Sequence, residues 1–252
     1  NMRQETGSHV NTHGWNLAVG WAREDNVNVG KRFFSPFDEY GRGSYSSLLD
    51  DDTYGSGKLS YLGVGVIGRI ERNDGGYIEG AIHGGKMRSD YTGSILPGTI
   101  STYDSSNPYY AAHLTVGKKM TLKTGDTITP YFKYLWSHQN GMKATLNTGE
   151  AYDFSSVDSH RLRIGARYRH HRDDDRTLYA GLAFEYELGG GARATYQGFD
   201  TPSTSMRGAS AMLELGYRFA PRKGRVSYDL RLTGWQGKRR GFMGTAQVTW
   251  AF

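Results

Sequence analysis

The residue types in this sequence that could do chemistry gather in a few short clusters. Asp158-Ser159-His160 sets side by side the three residue types of an acyl-transfer triad, and Asp90 and Asp104 lie in comparable segments, so a hydrolytic centre is the first reading to weigh. His170-His171 followed by Asp173-Asp174-Asp175 offers imidazoles and carboxylates of the kind that hold a metal. Gly189-Gly190-Gly191 is the candidate for a phosphate-cradling loop. Each weakens in its surroundings. Adjacent residues of a strand point to opposite faces, so Asp-Ser-His in direct succession cannot converge. The His and Asp run has the composition of a solvated charged turn, and the triple glycine leads into no helix, which both nucleotide-loop readings require. With no cysteine anywhere, thiolate nucleophiles, thiolate metal sites and disulfides are excluded. The expectation is a protein with no catalytic, cofactor-binding or metal-binding residues, and hence no cofactor.

A further cluster is charged, and its spacing says what positions it. Arg161, Arg163, Arg167 and Arg169 alternate with Leu162, Ile164, Ala166 and Tyr168. A helix would spread these arginines around its circumference, whereas a strand places them all on one face. The same period of two runs through Trp15-Leu17-Val19-Trp21, through Leu178 to Leu188 and through Ala211 to Phe219. Read this way the chain holds twelve strands, near residues 3–11, 14–23, 27–43, 58–70, 76–90, 109–120, 127–138, 158–169, 177–188, 207–219, 225–236 and 241–252. Each strand with its connection has about 21 residues, enough for the roughly 9–11 that a tilted membrane-crossing strand needs.

The connections alternate in length. Short ones follow the even strands: 24–26, 71–75, 121–126, 170–176 and 220–224. Long ones follow strands three, five, seven and nine: 44–57, 91–108, 139–157 and 189–206, while the outer loops 9–13 and 237–240 are short. A meander whose two ends face different compartments has this form, with short turns on one side and longer loops on the other.

Which face is wet follows from composition. Trp15, Trp21, Phe132, Tyr134, Trp136, Tyr168, Phe184, Tyr186, Tyr217, Phe219, Trp250 and Phe252 fall on the apolar faces and concentrate near strand ends, as interfacial aromatic girdles do. The polar faces mix both signs in mid-strand: Arg161, Arg163, Arg167, Arg169, Glu185, Glu187, Glu214 and Arg231 among them, interleaved with Gly165, Gly181 and Gly216. Glycine among charges suits a crowded, curved interior. These residues are expected to line a water-filled lumen, with Arg161 to Arg169 as a positive ladder and Glu185 and Glu187 on the next strand close enough to pair with it. A mean hydropathy of −0.63 and the lack of any run of roughly 18 apolar residues exclude a helical membrane bundle. The net charge of +6 is not bunched beyond Arg222-Lys223 and Lys238-Arg239-Arg240, so no nucleic-acid partner is expected. The opening Asn1-Met2-Arg3-Gln4-Glu5 has no signal-peptide core, which fits a non-exported protein or a mature or excised C-terminal piece.

The last strand ends Phe242-Met243-Gly244-Thr245-Ala246-Gln247-Val248-Thr249-Trp250-Ala251-Phe252, with Phe242, Val248, Trp250 and Phe252 on one face. It resembles the C-terminal signal by which bacterial outer-membrane barrels are recognised by their assembly machinery. Over essentially its full length the chain resembles the C-terminal translocator barrel of autotransporters, the type V secretion family. The resemblance is carried by Thr6-Gly7-Ser8-His9-Val10 with Gly14-Trp15, by Glu39-Tyr40-Gly41-Arg42-Gly43-Ser44-Tyr45, and by Tyr103-Asp104-Ser105-Ser106 with Tyr109-Tyr110. It continues in Val157-Asp158-Ser159-His160-Arg161-Leu162-Arg163 with Gly165-Ala166-Arg167, in Ala192-Arg193-Ala194 and in Gly237-Lys238-Arg239. It implies an all-β, twelve-stranded antiparallel up-and-down transmembrane β-barrel in a Gram-negative outer membrane, residues 1–252 forming one domain. Such a barrel anchors an N-terminal passenger and takes part in moving it to the cell surface. The implied partners are outer-membrane lipid and lipopolysaccharide, the barrel-assembly machinery and the protein's own passenger. The family's pore-threading helix and passenger are not in this sequence, and Asn1 is compatible with a cleaved end or with the boundary of an excised piece. A free-standing channel of the porin type is the alternative, since it would use the same wet lumen for solute passage.

Overall fold

The computed structural model describes residues 2–5, 8–49, 54–96, 99–200 and 204–251. Its framework is twelve strands, numbered here β1 Met2–Glu5, β2 Ser8–Gly20, β3 Gly30–Leu49, β4 Tyr54–Arg72, β5 Gly76–Leu96, β6 Thr99–Lys118, β7 Thr127–Gln139, β8 Val157–His171, β9 Arg176–Glu187, β10 Gly208–Phe219, β11 Val226–Gly237 and β12 Arg239–Trp250. Each pairs antiparallel with its neighbour in sequence, and β1 pairs with β12. Among the described residues this is a closed ring. Arg23–Val27 continues β2 against β3, and Met120–Thr121 continues β6 against β7.

The register fixes the shape. Starting at Lys31 on β3, the cross-strand partners run Glu71, Tyr77, Gly117, Tyr131, Gly165, Ala183, Met212, Trp235, Gly241, Met2 and Thr12, and return to β3 at Tyr45. One circuit of twelve strands is therefore displaced by the fourteen residues from Lys31 to Tyr45. With ordinary strand spacings that stagger tilts the strands by about 40° and gives a backbone radius of about 12 Å. A lumen that wide admits side chains and water between the walls.

The burial pattern is inside out for a water-soluble protein. Leu62, Ile164 and Leu182 are 63%, 63% and 68% exposed, while Glu185 and Glu214 are 3% and 4% exposed. Along the strands the outward residues from Ile70, Leu178 and Trp250 up to Trp15, Leu62 and Phe242 make an apolar band about 22 Å tall, close to that of a membrane-spanning barrel. No helix of the described residues is long and apolar enough to cross a membrane. Between β12 and β2 the wall is bridged by β1 only at the loop end; below it Phe242–Trp250 pairs with β11 alone and Gly14–Gly20 with β3 alone.

Several boundaries differ from the sequence reading. The expected loop 9–13 lies within β2, because its polar residues pair continuously with Leu48 to Ser44 of β3. The expected turn 24–26 lies in the strand extension, and the chain reverses at 28–29 instead. Most of the expected loops 44–57 and 91–108 is strand: β3 to β6 run on past the apolar band. Beyond the bilayer nothing requires outward apolar residues, so the alternation that marks a strand disappears there. The segments 139–157 and 189–206 also carry short strands, with Met142–Thr145, Ala151–Phe154, Ala194–Tyr196 and Phe199–Asp200 forming a small sheet at the mouth. It covers the free edge of β6, where Asn147 accepts from Thr102 N–H and donates to the Thr102 and Ile100 carbonyls.

Candidate functional site: the charged lumen

The inner face is built by a recurrent device in which glycine on one strand lets long side chains from its two neighbours meet. Arg167, Gly181 and Glu214 share one cross-strand row. The Arg167 guanidinium reaches over Gly181 and forks onto Glu214 at 2.5 and 3.0 Å. Tyr179, Gly216 and Arg231 share another row; a Cβ on Gly216 would stand 2.1 Å from the Tyr179 ring. There the Tyr179 hydroxyl donates to Asp229 at 2.6 Å and accepts from Arg231 at 3.2 Å. On the opposite wall Glu39, Gly63, Gly85 and Tyr109 form one row, and Tyr109 crosses both glycines to donate to Glu39 at 2.5 Å. His83 joins them, Nδ1 lying 2.7 Å from the same carboxylate.

The ladder is ion-paired. Arg163 bonds Glu185 through Nε at 2.9 Å and through Nη2 at 2.5 Å. Arg161 lies 3.8 Å from Glu185 and 3.7 Å from Glu187, and Arg239 donates to Glu185 at 3.4 Å while its guanidinium stacks 4.5 Å from the Trp235 ring centre. Arg231 adds contacts of 3.7 Å to Glu214 and Asp229. Farther down, Arg69 bridges Glu71 at 2.7 Å and Glu79 at 3.7 Å. Lys133 and Arg169 form no ion pair within 4 Å among the described residues. Partner charges drawn from several strands hold one another in place at modest net energy, because lumen water offsets both desolvation and attraction.

Comparison with known proteins agrees with this antiparallel β-architecture. The model of the family described as "Autotransporter beta-domain" matches residues 4–233. The chain belongs to the autotransporter β-domain family. Three solved structures share the fold. They are the transport unit of the autotransporter AIDA-I from Escherichia coli (11% identity, TM-score 0.77, all of this chain and 87% of that one), the β-domain of the Bordetella autotransporter BrkA (16%, 0.76, all and 96%), and the translocator domain of the autotransporter NalP from Neisseria meningitidis (15%, 0.74, all and 84%). No curated protein matches the chain in sequence. This autotransporter β-domain is an all-β antiparallel barrel of the outer membrane with a translocator role, and nothing among its relatives points to a porin.

The other clusters singled out in the sequence do not assemble. Asp158 and His160 face outward and Ser159 inward: Asp158 contacts His138 at 2.9 Å and the Trp136 indole at 3.2 Å, His160 contacts the Tyr134 hydroxyl at 2.7 Å, and Ser159 donates to Glu187 at 2.6 Å. Asp90 and Asp104 oppose each other across β5 and β6. His170 contacts Asp126, while Asp173 accepts the Asp175 and Arg176 N–H groups as a turn-closing residue, and no group of three or more His, Asp or Glu among the described residues is placed to hold a metal. Of the C-terminal residues, Phe242, Val248 and Trp250 point outward from β12. Phe252 lies outside the described residues, as do Asn1, Thr6 and Gly7. The Glu39, His83 and Tyr109 cluster escaped the sequence reading because its members are scattered over three strands. Only register brings them together, although Gly63 and Gly85 on the inward face of adjacent strands were a usable signal.

Proposed function

We propose that residues 1–252 work as one barrel domain that anchors a passenger, joined on its N-terminal side, in the outer membrane and takes part in its passage to the cell surface. The short turns face the periplasm and the extended strands β3 to β6 stand outside. The observation that carries this reading is the inverted burial, an apolar band outside and a cross-linked charged wall inside. Buried inward hydroxyls with no hydrogen-bond partner among the described residues, Thr115 Oγ1, Thr127 Oγ1 and Thr129 Oγ1, support a lumen filled by water or by polypeptide. Within it Arg161, Arg163, Arg167, Arg169, Glu185, Glu187, Glu214 and Arg231 stiffen the wall and secondarily set ion preference. Phe242, Val248, Trp250 and Phe252 form the signal read by the barrel-assembly machinery, and the domain carries out no chemistry of its own.

The test is surface display. An epitope fused ahead of Asn1 in a Gram-negative host should become accessible to antibody on intact cells, and deletion of Phe252 should lower the amount of heat-modifiable, membrane-inserted protein while leaving refolding in detergent largely intact. An epitope that stays internal while the barrel is fully inserted contradicts the translocator reading. Unchanged insertion without Phe252 contradicts the signal.

A further inference from the structure

The outer wall carries a concentration of positive charge near the loop end of β3 to β5. Arg42 on β3, Lys58 on β4, and Lys86 and Arg88 on β5 are all exposed and share the outward face with Trp15 and Leu62. Register aligns Trp15, Arg42, Ser60 and Arg88 in one row, with Lys58 two residues from Ser60 and Lys86 two residues from Arg88. Arg42 and Arg88 thus flank Ser60 with their Cα atoms about 10 Å apart, and all four cations lie within about 8 Å of the Ser60 Cα. None of these four side chains, nor the Ser60 hydroxyl, has an ion-pair or hydrogen-bond partner among the described residues. Asp90 lies beside Lys58, accepting its backbone N–H, and Asp104 faces Asp90 on the next strand, so these carboxylates offset only part of the four positive charges; Asp38 sits four residues below Arg42.

Depth identifies the occupant. With the strands tilted by about 40°, Arg42 and Lys86 stand about 3 Å beyond Trp15 and Leu62, the upper limit of the apolar band, and Arg88 and Lys58 about 8–10 Å beyond it. That layer is where lipid phosphates lie, immediately outside the hydrocarbon. At the opposite rim the outward Arg32 is paired with Asp25 at 3.2 Å. Below the patch, Trp15 and Tyr40 pack with ring centres 5.5 Å apart and offer an aromatic floor for the start of an acyl chain.

The geometry points to a binding site for a phosphorylated lipid of the outer leaflet. Arg42 and Arg88 grip the phosphate from two sides, Lys58 and Lys86 add charge, and Ser60 donates a hydrogen bond between them. The assignment rests on the proposed orientation, with the loop end outside. Its test is native mass spectrometry of the detergent-refolded chain titrated with diphosphoryl lipid A, dephosphorylated lipid A or inorganic phosphate. The Arg42→Gln, Arg88→Gln double variant should weaken diphosphoryl lipid A about thirtyfold, given the usual contribution of a basic residue at an anionic lipid surface. Arg32→Gln should leave binding unchanged, dephosphorylated lipid A should bind weakly, and millimolar inorganic phosphate should not compete. Equal binding of the two lipids, equal loss in Arg32→Gln, displacement by inorganic phosphate alone, or an unchanged double variant overturns the site. Leu62→Arg separates the two layers of inference: if it blocks membrane insertion while the double variant still binds normally, the lipid-facing band stands and only the phosphate site fails.

Discussion

Replacing Glu214 with Gln keeps the shape of the side chain and removes the charge that Arg167 and Arg231 share. The carboxylate accepts both Arg167 contacts, at 2.5 and 3.0 Å, and stands 3.7 Å from Arg231. Stranding two guanidinium groups in a dry core would cost several kcal/mol. Here the Arg167 and Arg231 side chains are 25% and 32% exposed to the lumen, so solvent reduces the expected loss to about 1–2 kcal/mol. Urea titration of the refolded barrel, followed by tryptophan fluorescence, measures it. The double-mutant cycle with Arg167→Gln should return a coupling of about 1 kcal/mol, against the roughly 0.3–0.5 kcal/mol scatter of independent sites. In planar bilayers the variant should also shift ion preference toward anions. A coupling within that scatter, with unchanged selectivity, would refute the idea that the ladder is a cross-strand network.

Other perturbations probe other parts of the wall. Gly216→Leu should destabilise by about 1–3 kcal/mol, since the new side chain must displace the Tyr179 ring, and Tyr179→Ala should recover part of the loss in the same denaturation assay. Asp38 points outward in the apolar band between Val19 and Val64, so Asp38→Val should stabilise the lipid-reconstituted barrel by about 1 kcal/mol. In the turn before β7, the Tyr168 hydroxyl first, then the His171 N–H, Thr124 and His170, hold the Asp126 carboxyl below its ordinary pKa. Its stabilising contribution is therefore complete above the unfolded carboxylate value of about 3.9 and is lost as pH falls from there through the lower folded value. Asp126→Asn should remove that acid-sensitive component from unfolding curves taken across the window.

How much of this was legible in the sequence depended on whether lipid touched the segment. Where it does, as at Leu162, Ile164 and Tyr168 against Arg161, Arg163 and Arg167, both faces are chemically constrained and the alternation gave strand, face and order together. Beyond the bilayer, Ser44 to Leu49 and Thr99 to Pro108 keep strand pairing with no apolar face, and so read as loops. The first hairpin was misplaced for the same reason, since Asn11, Thr12 and His13 carry no apolar alternation. Neighbouring ladder partners such as Arg163 and Glu185 could be anticipated, but Arg167 with Glu214 could not, because that pairing depends on the exact row in which Gly181 falls.

The most direct test of an apolar outside around a charged lumen uses the absence of native cysteine. Single cysteines placed along β8 at 162, 163, 164, 166, 167 and 168 and along β10 at 213, 214 and 215 can be challenged, in lipid vesicles, with a water-soluble maleimide and with a lipid-dissolved quencher attacking a probe at the same positions. Residues 163, 167 and 214 should react with the aqueous reagent and resist the quencher, and 162, 164, 166, 168, 213 and 215 should do the reverse. Aqueous labelling of the second set, or labelling with no period of two, would contradict the barrel's assigned faces and with them the translocator reading.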